Sequence, residues 1–145
     1  DHISVEYEYP NGARVTHIGS QMDGVSSRND MRIDGTEGRL FLSFAKVTIE
    51  GKKPFSYEGP RPNPAVVEYK DTLDAIRSGN TVNEGKRIAQ STMTAILGRM
   101  AAYTGRTLSW DWAMQASKQD LTPKEWKFGD LALDPIAIPG QTDLV

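Results

Sequence analysis

The chain of 145 residues contains no cysteine and only two histidines. Without cysteine it can form no disulfide and no thiolate metal site, and it offers no thiol nucleophile, although this absence leaves the cellular compartment open. The two histidines, His2 and His17, lie in one predicted hairpin but far apart along it. We therefore expect no metal site in this chain.

The sequence also has no block of like charge and no long hydrophobic run. Its 17 basic and 19 acidic residues are spread along the chain and give a net charge of −2, so we expect neither nucleic acid nor a membrane as a partner. The longest apolar run is far shorter than a membrane span. A hydrophobic content of 38% suits a single domain over residues 1–145. Because a strand-like pattern begins directly at Asp1, we expect the chain to be a fragment.

Familiar catalytic motifs are missing as well. The sequence has no nucleophile elbow, no Ser-His-Asp order and no phosphate-binding loop. Gly35 and Gly38 bracket a predicted hairpin turn rather than a strand-to-helix junction, so they are no dinucleotide fingerprint. We therefore assign no catalytic residue and no cofactor-binding residue to this chain.

The first half of the chain is β-like. Residues 2–9 alternate between polar and apolar side chains, the period of a half-buried strand. Asn11 and Gly12 tolerate positive φ and predict a two-residue hairpin loop. That loop places Glu6 opposite His17, on the sheet face turned away from the helices. Further strands are predicted at 31–34, 39–44 and 46–50.

The second half is helical. Asn63 and Pro64 predict a helix start. A longer helix follows, capped by Asn83 and ended by Gly105, and Ser109 caps a short third helix. Strands that precede helices in this way indicate an α+β fold. We predict an open, mainly antiparallel β-sheet with helices packed on one face.

The long helix carries apolar side chains over more than half of its circumference, and its remaining face is made of small residues. Gly98 on that face costs about 1 kcal/mol relative to alanine, which close approach of another element would offset. The helix is therefore predicted to be covered on two sides. Arg99 lies in the apolar arc and is predicted to be buried, either in an internal ion pair with a carboxylate such as Glu84 or Asp111, or as a ligand-binding arginine.

Three segments carry a resemblance to a known family. They are VEYEYPNG (5–12), IDGTEGRLFLS (33–43) and the long stretch 63–117, which includes GRMAAYTG followed by Trp110-Asp111. In this order they resemble the C-terminal domain of the glucose-fructose oxidoreductase and inositol dehydrogenase family (Gfo/Idh/MocA), of the type found in Bacteroidetes-like bacteria. The similarity covers most of the chain.

The resemblance implies a parent oxidoreductase that binds NAD or NADP in an N-terminal Rossmann domain, which is absent here. Its substrate, a sugar, cyclitol or related polyol, would lie between the domains, and the sheet face would build a homo-oligomer. The present chain would form part of the wall of the substrate site and would provide the oligomer interface. It would bind no cofactor itself and would be inactive alone.

Four residues are expected to face the substrate: His17, Gln21, Asp23 and Arg28. The alternative interpretation of these residues is an ordinary surface loop. The alternative for the whole chain is a non-catalytic, sheet-based interaction or carbohydrate-binding module.

Overall fold

The computed structural model describes residues 2–118, 120, 122–131 and 135–143. Within them the chain forms six strands and three helices: β1 (His2–Glu8), β2 (Arg14–Ser20), β3 (Asp30–Asp34), β4 (Gly38–Ser43), β5 (Val47–Gly51), β6 (Phe55–Ser56), α1 (Pro64–Arg77), α2 (Gly85–Thr104) and α3 (Trp110–Gln115). The predicted α+β class with antiparallel strands is confirmed. The described strands form two sheets, the pair β1-β2 and the four-stranded sheet β3-β4-β5-β6.

The chain divides into two compact units. Unit 1 contains residues 1–22 and 83–145, and therefore holds the β1-β2 hairpin with α2 and α3. Unit 2 contains residues 23–82, and therefore holds the four-stranded sheet and α1. No helix in the described part of the chain is both long and apolar enough to cross a membrane.

The turn of the first hairpin differs from the prediction. The amide of Gly12 donates to the carbonyl of Tyr9 over 2.8 Å, and Gly12 has a φ of 82°. The loop is therefore the three residues Pro10, Asn11 and Gly12 rather than Asn11-Gly12 alone. Proline suits the first central position of such a turn, and glycine its left-handed third position, so Pro10 belongs to the loop and not to the strand.

This longer loop shifts the strand register by one residue. His17 lies opposite Val5 rather than Glu6, so the predicted Glu6–His17 pair is wrong. Directly opposite residues share a sheet face, and His17 therefore joins Val5 on the face toward α2. Glu6 lies on the other face, where its carboxylate is 3.5 Å from Arg14.

Local signals set the helix ends. The Asn63 side chain accepts a hydrogen bond from the Ala65 amide at the start of α1, and Ser109 likewise accepts from Trp112 at the start of α3 over 3.1 Å. Gly105 ends α2 in the left-handed conformation. These side chains and this glycine satisfy backbone groups that a helix end leaves free.

Little of unit 1 is buried. Met100 of α2 and Ala113 of α3, 7% and 9% exposed, are the buried hydrophobic residues among those described. Strand β1 packs against α2, which provides the first of the two predicted covers of this helix. On α2, Ile88 and Ile96 are 55% and 42% exposed, so their side of the helix is only partly covered within the described residues.

Candidate functional site

One face of the sheet in unit 2 is apolar. The register β3-β4-β5-β6 places apolar side chains opposite one another in two rows on one face. The first row is Ile33, Leu40, Ile49 and Phe55, and the second is Met31, Leu42 and Val47. Because alternate residues point to opposite faces, every strand of this sheet contributes to the same apolar surface.

This apolar sheet face is partly open to solvent, with Leu40 and Val47 on its central strands half-buried. Met31, Ile33 and Phe55 each expose about half of their surface, at 53%, 51% and 51%. Proteins that act as monomers rarely expose contiguous apolar surface of this kind, and such surfaces mark interaction sites. The face is therefore a candidate interaction surface.

The opposite face of the same sheet is charged. Asp34 accepts a hydrogen bond from Arg32 over 3.0 Å and a second one from Arg39. The hydrogen bond from Arg39, followed by the charges of the two arginines, outweighs partial desolvation and lowers the pKa of the Asp34 carboxyl. This face is the more polar of the two, although Phe41 and Thr48 on it are half-buried.

Unit 1 contains an open cleft of about 350 Å³ between the first hairpin and α2. Its strand side is formed by Ile3, Val5, Tyr7, Tyr9, Val15 and His17. Its helix side is formed by Ser91, Thr94, Ala95, Gly98 and Arg99. The helix residues are spaced three and four apart, so they share one face of α2.

A close contact between Tyr7 and Gly98 closes part of this cleft. A Cβ atom at Gly98 would lie 1.9 Å from the Tyr7 hydroxyl oxygen and 2.8 Å from Cζ of the ring. Gly98 is itself buried. The predicted close approach of another element to Gly98 is therefore present, and the element is β1. Burial, with a smaller contribution from Tyr9, raises the pKa of the Tyr7 hydroxyl.

Arg99 lies at the edge of the cleft and is exposed, so the prediction that it is buried is wrong. Its guanidinium carbon stacks over the Tyr103 ring, 4.8 Å from the ring centroid. Within the described residues of unit 1 it forms no ion pair, and Glu84 binds Arg87 instead. Gly98 and Met100 on either side of it are buried, but the Arg99 side chain itself stays exposed among the described residues.

The four predicted substrate-facing residues are divided between the units. His17 lines the cleft of unit 1, and Gln21 is exposed directly after β2. Asp23 and Arg28 are exposed residues of unit 2, where Nε of Arg28 lies 3.2 Å from Asp30. The structure thus joins His17 with Gly98 and Arg99 in one cleft.

Sequence reasoning missed the tyrosines and hydroxyl residues of the cleft as a group. Two sequence patterns mark these residues: Tyr7 in β1 and Tyr9 just after it are alternate residues, and Ser91 and Thr94 have helical spacing on α2. Only the tertiary structure shows that β1 and α2 bring the two pairs together. Among the described residues, no group of three or more histidine or acidic side chains could hold a metal ion.

Comparison with known proteins gave no match: the chain matches no family model, no curated protein and no solved structure. The functional argument therefore rests on the sequence resemblance and on the two surfaces described above.

Proposed function

We propose that this chain is the substrate-side and oligomerisation domain of an NAD(P)-dependent oxidoreductase that acts on a sugar, cyclitol or related polyol. The activity is inferred from the sequence resemblance. In this proposal a separate Rossmann domain binds NAD or NADP and carries the hydride transfer. The chain itself contributes protein contacts and part of the substrate wall.

The apolar sheet face of unit 2 is the observation that carries the interface part of this proposal. Seven apolar side chains from all four strands share it, whereas the reverse face carries the Asp34 ion pairs with Arg32 and Arg39. Sheets bury such faces by packing them against a second layer. A second copy of the chain would supply an identical, self-complementary surface.

Light scattering coupled to size-exclusion chromatography tests the interface. We expect the chain to elute as a dimer or larger oligomer. Ile49→Lys places a charge on the apolar face and should dissociate the oligomer, because burying an unpaired charge is strongly unfavourable. Glu50→Lys, one residue later on the opposite face and exposed like Ile49, is the matched control and should leave the mass unchanged. A strictly monomeric wild-type chain at high concentration would contradict the interface.

Calorimetric titration tests the assignment of cofactor binding to another domain. The sequence offers no phosphate-binding loop, so NAD and NADP should each produce no saturable heat with this chain. Saturable binding of either nucleotide would count against the division of roles proposed here.

A non-catalytic carbohydrate-binding module is the second candidate, and Tyr7 and Tyr9 in the cleft of unit 1 favour it. Aromatic side chains with a polar tip suit surfaces that contact sugars. Such a module would bind neutral oligosaccharides as a monomer. Oligosaccharide binding by a chain that does not self-associate would therefore favour the module over the oxidoreductase domain.

A further inference from the structure

The charges around the unit 1 cleft are unbalanced. Arg99 contributes a permanent positive charge, whereas no carboxylate of the described residues lines the cleft. The acidic residues of β1, Glu6 and Glu8, both lie near Arg14, at 3.5 Å and 3.6 Å. Both carboxylates lie on the hairpin face that points away from the cleft, although one arginine offsets only one of their two charges. An anionic ligand would supply the missing negative charge.

The Arg99 guanidinium is oriented but retains its hydrogen-bonding capacity. Its stacking over Tyr103 uses the flat face of the group. The N–H donors lie in the plane of the guanidinium and so remain available at its edge, where a carboxylate can accept two of them at once. Stacking also limits the conformations of the side chain, which reduces the entropy lost on binding.

The hydroxyl groups on the helix side of the cleft use their hydrogen-bond donors within the helix. The Ser91 hydroxyl donates to the Arg87 carbonyl over 3.0 Å, and the Thr94 hydroxyl donates to the Gln90 carbonyl over 2.9 Å. Because their protons are used in these bonds, both oxygens offer lone pairs to the cleft. Hydroxyl donors on a ligand would match these acceptors.

We propose that the cleft binds a small hydroxylated carboxylate, with its carboxylate on Arg99, its hydroxyl groups on Ser91 and Thr94, and its carbon skeleton over Tyr7 and Tyr9. A carboxylate fits better than a phosphate monoester, because the monoester carries a charge of about −1.5 to −2 near neutral pH. The cleft has only one permanent positive charge to offer. Its volume of about 350 Å³ suits a single small molecule.

This inference does not rest on the proposed oxidoreductase role. Binding is measured without nucleotide and within unit 1, whereas the interface experiment concerns the apolar sheet face of unit 2. Each experiment can therefore fail while the other succeeds.

The test is an NMR titration of the full chain with glucuronate, glucose and glucose 6-phosphate. Glucuronate should produce saturable shifts at the cleft residues and should bind at least about tenfold more tightly than glucose, since hydrogen bonds to a charged group are the stronger kind. Equal affinity for glucose and glucuronate, or tighter binding of glucose 6-phosphate, would overturn the assignment. So would the absence of saturable shifts at millimolar glucuronate.

Two arginine variants locate the charge that is recognised. Arg99→Gln should weaken glucuronate binding about tenfold and leave glucose binding unchanged. Because Arg99 is exposed, circular dichroism should show an unaltered fold. Arg87→Gln removes a cation from the same helix outside the cleft, where Arg87 pairs with Glu84, and should leave the affinity within about twofold. Equal losses in both variants would show nonspecific attraction and refute the site.

Discussion

The contact between Tyr7 and Gly98 gives a prediction whose sign depends on the packing. In an open helix, replacing glycine by alanine stabilises by about 1 kcal/mol. Here the new methyl group would lie 1.9 Å from the Tyr7 hydroxyl oxygen. Overpacking of this kind typically costs about 1–3 kcal/mol. We therefore expect Gly98→Ala to lower the free energy of unfolding by about 1 kcal/mol, the balance of these two terms.

Removing the tyrosine ring should reverse that sign. Tyr7→Leu deletes both the hydroxyl and the ring carbon that would lie 2.8 Å from the methyl group. In this background Gly98→Ala should stabilise by about 0.5–1 kcal/mol, because only the helix propensity remains. The coupling between the two positions is then about 1.5–2 kcal/mol, within the range for residues in direct contact.

Urea unfolding followed by circular dichroism measures all four members of this cycle. Ala89→Gly is the matched control, since Ala89 is an exposed residue of the same helix. It should cost about 1 kcal/mol whether position 7 is tyrosine or leucine. The packing argument is refuted if Gly98→Ala stabilises the wild-type chain, or if its effect is the same in both backgrounds.

Three further predictions concern unit 2. A Cβ atom at Gly38 would lie 2.3 Å from a backbone carbonyl oxygen of β5, whereas the nearest neighbour of a Cβ atom at Gly35 would be 3.5 Å away. Gly38→Ala should therefore lower the free energy of unfolding in urea by about 2–3 kcal/mol, and Gly35→Ala should lower it by less than about 1 kcal/mol. The pKa of the Asp34 carboxyl is lowered in the folded state, so its ion pairs stabilise the fold above the ordinary pKa of the carboxyl, and this stability is lost as the pH falls through the lowered value. Arg39→Gln should raise the pKa of Asp34 in an NMR titration and should reduce the loss of stability at acid pH. An unchanged pKa would contradict the pairing. Asn63→Ala should cost about 1 kcal/mol by removing the α1 cap, measured by thermal unfolding.

Three helix ends could be predicted from the sequence because their causes are local, whereas the predicted cap of α2, Asn83, is wrong: the cap is Glu84, which makes no side-chain hydrogen bond there. Asn63, Gly105 and Ser109 each act within a few residues of their own position. The hairpin register could not be predicted from Asn11-Gly12 alone. The preceding Pro10 entered the turn and moved His17 to the other face of the sheet, because side-chain direction changes with every residue along a strand.

The candidate site was harder to predict because it depends on which surfaces are covered. A helical projection correctly placed Arg99 beside apolar residues, but it assumed that the whole arc is buried. The structure leaves that arc partly open. The cleft also requires β1 to pack across the small-residue face of α2, a tertiary pairing that no local pattern specifies.

Helix α1 leads to the same conclusion as the apolar sheet face. It has 14 residues and none of them is buried, while Val66, Tyr69 and Ile76 on its apolar stripe are 63%, 72% and 68% exposed. Isolated helices of about this length are marginal in water, and one N-cap contributes only about 1 kcal/mol. A helix of this kind gains its stability chiefly by burying its stripe. We therefore expect the folding of unit 2 to be coupled to the proposed association, because a partner that binds only the folded state stabilises that state.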